Sequence, residues 1–102
     1  MIVHNILFRF RADDLAGRRE LAESFRDRLA SLEGSVAELR DLTLATDLGH
    51  DESHFDLALI STHETYEDLE AYQRHPLHQE VAAYGRTIVA DRACVDYELP
   101  DA

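Results

Sequence analysis

Hydrophobic and polar positions alternate along residues 2–10: His4, Ile6, Phe8 and Phe10 fall on one side, Val3, Leu7 and Arg9 on the other. A period of two predicts a β-strand. Arg11 to Asp14 are polar, with aspartates suited to opening a helix. Leu21, Phe25, Leu29 and Leu32 then recur at helical spacing, and Gly34 is expected to stop that helix near residue 33. Leu39, Leu42 and Leu44 predict a second strand over 36–47, and Gly49 to Ser53 carry turn chemistry. Phe55, Leu57 and Leu59 alternate against Asp56, Ala58 and Ile60, a third strand over about 54–62. Ala93, Val95 and Tyr97 alternate with Cys94 and Asp96 in a last strand.

Between the third and last strands lies a helical stretch with a proline inside it. Thr65, with Asp68 three residues on, resembles a capping box. Pro76 cannot occupy a helix interior and pushes His75 out of the α region. One helix is therefore expected to end near Tyr72 to Arg74, and another to begin with Pro76 as its first residue. His75 falls at the cap and His78 in the first turn, where the positive end of the helix dipole disfavours imidazolium. The second helix is expected to bury Leu77, Val81, Tyr84 and Ile88.

The order β-α-β-β-α-β, its second helix broken at Pro76, predicts an α+β fold with one four-stranded antiparallel sheet and helices on one side. Residues 1–102 read as a single domain. The first and third strands carry apolar residues on both faces, and two helices can cover only one. The other face is expected to meet a second copy of the chain, making a homodimer; the pattern leaves open which face that is.

Charge narrows the partners. A formal net charge of −11 argues against nucleic acid and against an anionic membrane surface. All ten basic residues are Arg. Those on the first helix, Arg18, Arg19 and Arg28 among them, read as a solvated face. The single cysteine, Cys94, permits no internal disulfide and reads as a small core residue. The opening residues show neither a basic leader nor a long apolar run, so no signal peptide or membrane span is expected, and a cytoplasmic location is.

The candidate chemistry is carried by histidine and tyrosine. A neutral His78 near the Tyr72 hydroxyl would form an acid/base pair, although the ordinary role of such a pair at a helix junction is capping and packing. His4, in phase with Ile6 and Phe8, is either a hydrogen-bonded core residue or a third member of the same site. His50, Asp51 and His54, with Glu52 nearby, offer metal-ligand types in one loop, but no second cluster or cysteine pair supports a metal site. His63 is expected to be exposed after its strand. No phosphate-binding glycine loop occurs, so neither metal nor organic cofactor is expected.

Three segments resemble the stress-responsive alpha-beta barrel domain (Dabb) family across essentially the whole length. They are the opening from Ile2 to Phe10, the segment from Tyr66 to Val81 with its Tyr72-x-x-His75-Pro76-x-His78 pattern, and the ending Val95-Asp96-Tyr97. The resemblance implies a ferredoxin-like fold whose sheets pack face to face across a dimer to form a barrel. A few plant members look like cofactor-free cyclases that close a linear polyketide by aldol chemistry. Their Tyr and His match Tyr72 and His78, and their first-strand His matches His4. By that match His78 would remove a proton alpha to a carbonyl and Tyr72 would donate to the enolate oxygen. The cyclases also use a tyrosine on the first helix, and here that helix contains Phe25 and no Tyr. Two readings stay open: a cofactor-free enzyme or binder of a small apolar carbonyl or aromatic compound, and a noncatalytic dimeric domain with a structural or stress-related role.

Overall fold

The structure, a computed structural model, describes residues 1–100. Its elements run β1 (Ile2–Phe10), α1 (Leu15–Ala30), β2 (Asp41–Thr46), β3 (Leu57–His63), α2 (Tyr66–Arg74), α3 (Pro76–Ile88) and β4 (Val89–Glu98). The strands form one antiparallel sheet, as the β-α-β-β-α-β pattern predicts, in the order β2-β3-β1-β4, the ferredoxin-like arrangement that the resemblance implies.

Local chemistry sets the helix starts. Asp14 caps α1 by accepting from the Gly17 N–H at 2.7 Å, and the Thr65 hydroxyl caps α2 through the Asp68 N–H at 3.1 Å. His75 ends α2 and caps α3, its extended backbone (φ −60°, ψ 137°) preceding Pro76 at the first helical turn. Its Nδ1 accepts from the Leu77 N–H at 3.1 Å, the capping role expected of it.

Register decides what faces the helices. His4 lies opposite Ser61 on β3 and Asp96 on β4, and Ile6 opposite Leu59 and Cys94. Because paired residues share a face, the helix side of the sheet carries Ile2, His4, Ile6 and Phe8 with Leu57, Leu59, Ser61 and His63. Ile6, Phe8, Leu57 and Leu59 build the core there with Phe25 and Leu29 of α1 and with Leu69 and Tyr72 of α2. The opposite face is made by Val3, Leu7, Ala58, Ile60, Ala93, Val95 and Tyr97, and no helix packs on it. Leu7, Val95 and Tyr97 are exposed there.

Several expectations shift. α1 ends at Ala30, earlier than expected, because residues 31–35 form a turn in which Gly34 takes φ 79°. The second strand is shorter than 36–47: Val36 and Leu39 reach the core from irregular backbone and pair with no strand. The third strand begins later, at Leu57, and extends to His63. On α3 the inward line is Val81 and Gly85, while Leu77 is exposed and Tyr84 and Ile88 are only partly buried. Gly85 is the reason: a Cβ there would stand 2.8 Å from the Phe25 ring, so the aromatic of α1 packs directly on the α3 backbone.

Arg18 is not part of a solvated face. It is buried, its guanidinium binding Asp56 at 2.9–3.1 Å and the backbone carbonyls of Glu52 and His54. Asp56 in turn accepts the Phe10 N–H at 2.9 Å, so a single ion pair fastens α1 to the start of β3 and the end of β1.

Candidate functional site

Tyr72 is the centre of the site. It sits on the last turn of α2, is 1 % exposed, and its hydroxyl has no hydrogen-bond partner. His78, on the first turn of α3, meets the Tyr72 ring edge-on at 4.7 Å between centroids, and its Nδ1 is likewise buried without a partner. The Pro76 break makes this possible, because it turns the chain so that residues six apart on two helices face each other. His4 joins them from β1, 3 % exposed. All three line one cavity of about 580 Å³ between the sheet and the helices. Its remaining walls include the apolar Ile6, Phe8, Phe25, Leu59 and Val81.

Burial sets the protonation states. It pushes Tyr72 up to about 12, so the phenol keeps its proton and can only donate or accept a neutral hydrogen bond at ordinary pH. His78 is held below the usual imidazole range, first by burial and then by the charges of His4, Arg92 and His75, with the Gln73 carbonyl acting against them. Neutrality at the helix start was expected from the dipole, and desolvation acts in the same direction. A neutral imidazole and a protonated phenol sharing one wall can together remove and deliver a proton.

His4 has a partner that sequence reasoning missed. Its Nδ1 lies 2.5 Å from Asp96 Oδ1, the residue directly across on β4. With Nδ1 engaged by the carboxylate, Nε2 is the nitrogen left to meet a ligand, so His4 is both a hydrogen-bonded core residue and a member of the cavity wall. Alternation did place Asp96 in phase with Cys94, but its pairing depends on a register between residues 92 apart.

His63 was expected to be exposed and is fully buried. As the last residue of β3 it continues the inward line of Leu57, Leu59 and Ser61. Its Nε2 lies 2.9 Å from the Ser61 hydroxyl and its Nδ1 2.7 Å from the Glu38 carbonyl, and its ring packs on Tyr72 at 5.0 Å. Burial holds it, too, below the usual imidazole range.

Cys94 is not a core residue. It is exposed on the edge strand β4, its thiol pushed up by burial of part of its surface and then by Asp96. His4 Nδ1, Cys94 Sγ and Asp96 Oδ1 lie within 4.8 Å of one another, the one group of three donors among the described residues close enough for a single ion. The 2.5 Å between nitrogen and oxygen is a hydrogen bond, shorter than the roughly 3.3 Å between two ligands on one tetrahedral zinc. His50, Asp51 and His54 do not form such a group: His54 pairs with Asp47 at 3.2 Å and Asp51 at 3.8 Å on an exposed loop.

The family model described as the stress responsive A/B barrel domain matches residues 2–99. Among solved structures, a dimeric protein of unknown function and ferredoxin-like fold from Bacteroides fragilis is 24 % identical, with 96 % of this chain and 95 % of that one covered at a TM-score of 0.83. A dimeric ferredoxin-like protein of unknown function from Thermobifida fusca is 28 % identical over 96 % and 90 % of the two chains, TM-score 0.81. A hydroxynitrile lyase from Passiflora edulis shares the fold at 17 % identity, 99 % and 94 % coverage and TM-score 0.79. No match is found among curated proteins.

Proposed function

The chain belongs to the stress-responsive A/B barrel domain family, and we propose that it is a homodimer binding a small apolar carbonyl or aromatic compound in the cavity between sheet and helices, where His78 and Tyr72 perform acid/base chemistry on it without a cofactor. The observation that carries this reading is the pair of unpartnered buried polar atoms, Tyr72 Oη and His78 Nδ1, on two residues that line one largely apolar cavity. A buried polar atom without a partner costs on the order of 1–3 kcal/mol, which a fold meets readily with a capping bond or an apolar residue unless a ligand uses the atom.

In the proposed step the neutral imidazole of His78 takes a proton from the carbon alpha to the bound carbonyl. The electron pair moves into the enolate, and the Tyr72 hydroxyl donates a hydrogen bond to the oxygen where charge develops. His4, oriented by Asp96, holds the substrate from the sheet side. That a structural relative is a hydroxynitrile lyase fits a fold able to carry proton transfer, and a first helix that brings Phe25 and no tyrosine to the cavity favours a substrate with an apolar group at that wall. The assay is deuterium exchange at the methyl group of acetophenone in heavy water, followed by NMR. Catalysed exchange supports the chemistry; exchange no faster than buffer, with no shift of pocket resonances, leaves the noncatalytic dimeric domain as the better description.

The dimer rests on the open sheet face. Leu7, Val95 and Tyr97 are exposed on the side away from the helices, and the Bacteroides and Thermobifida relatives are dimeric. Leu7→Asp would bury a charge in that interface and is expected to yield monomer by light scattering at micromolar concentration. Wild-type protein that is already monomeric there refutes the assignment.

A further inference from the structure

The cavity's charge is uneven. Its inner wall is apolar, whereas its mouth carries Arg86 from the last turn of α3 and Arg92 from β4. Arg92 lies directly across from Phe8, on the helix side of the sheet, and its charge reaches His78. Neither guanidinium is ion-paired with a carboxylate among the described residues, and Arg92 interacts with the Cys94 thiol beside it. In a chain with 21 acidic residues and ten basic ones, two arginines at one opening concentrate positive charge there. Asp91 also borders the mouth, its Oδ1 accepting from the Arg92 backbone N–H at 2.9 Å, and its carboxylate offsets one of the two cations.

We propose that the compound bound in this cavity carries a carboxylate, held at the mouth by Arg92 and Arg86, on an apolar carbonyl or aromatic body that extends past Phe8 and Phe25 to Tyr72 and His78. This rests on the cavity being a binding site, as argued above, and names the class of compound it takes. The guanidinium's planar fork suits a carboxylate, and the two cations supply a local attraction for an anion that the protein's overall negative charge would otherwise repel. The depth of the cavity then fixes orientation: charged end at the solvent, carbonyl at the acid/base pair.

Matched probes separate this from the parent reading. Titrating the intact protein with 3-benzoylpropionate and with its methyl ester, by calorimetry or NMR, is expected to show the acid bound roughly tenfold more tightly. That preference should shrink as salt is raised from about 0.05 M to about 0.5 M. Arg92→Gln should bring the acid down to the level of the ester, and Arg92→Glu should put the ester ahead. Arg92 is exposed, so both variants are expected to fold, and their thermal midpoints check it. If the ester binds and the acid gains nothing, or if Arg92→Gln keeps the preference, the carboxylate assignment is wrong and the cavity reading survives. If neither probe binds, both fall.

Discussion

His63 and His78 both lie against the ring of Tyr72, at 5.0 and 4.7 Å between centroids, and burial holds both below the usual imidazole range. They differ in their hydrogen bonds. His63 has the Ser61 hydroxyl on one nitrogen and the Glu38 carbonyl on the other, whereas His78 Nδ1 is buried with no hydrogen-bond partner. The same side chain with the same aromatic neighbour is thus a fastener on one side and, in the proposed reading, the base on the other. A shifted pKa does not distinguish the two; completeness of hydrogen bonding does.

The sharpest break between them is in rate. His78→Ala should reduce catalysed deuterium exchange by about 10²–10⁴-fold, the usual contribution of a positioned general base, while the thermal midpoint moves little. An exchange rate unaffected by this change would mean His78 is a second fastener.

His63→Ala should instead act on stability. It opens a cavity at a fully buried site and strands the Ser61 hydroxyl and the Glu38 carbonyl, a loss of about 2–4 kcal/mol in denaturant unfolding. A loss under about 0.5 kcal/mol would show the three-residue link to be idle.

How much of this contrast was legible in the sequence follows from distance along the chain. The broken helix, the capping by His75 and the convergence of Tyr72 with His78 are local consequences of Pro76, and they were readable. His4 was placed on the correct face by simple alternation. The roles of His63, Arg18 and Asp96 were not readable, because each is decided by a partner 25, 38 or 92 positions away. His63 had in fact continued the period-two line from Leu57, and only its place just past the predicted end of the strand suggested exposure. On α3, Gly85 hid the inward face, since no side chain marks where Phe25 packs.

The pH dependence of stability sharpens the role of Tyr72 between the two histidines. Its folded pKa is raised from 10.0 to about 12, so the unfolded chain loses the phenolic proton first as pH rises. The contribution is fully present below pH 10 and is lost as pH climbs to about 12, roughly 2–3 kcal/mol in all. The histidines have the opposite sign. Their folded values lie below 6.5, so their contribution is present above pH 6.5 and is lost as pH falls through the folded values. Equilibrium unfolding from pH 9 to 12 measures the alkaline limb, and a flat profile there would contradict a buried phenol.

The smallest expected effect is also the most discriminating. Tyr72→Phe keeps the ring that packs between His63 and His78 and deletes only a hydroxyl that has no protein partner. Removing an unsatisfied buried polar atom should leave stability unchanged or raise it by about 1 kcal/mol, and should abolish the alkaline limb above pH 10. If the hydroxyl serves the bound carbonyl, the same variant should lose exchange activity, by less than His78→Ala because the base remains. Gain in stability with loss of activity is the signature of a group kept for function, as sites under that constraint sacrifice stability. A variant that loses stability and activity together would instead place Tyr72 with His63, as part of the scaffold.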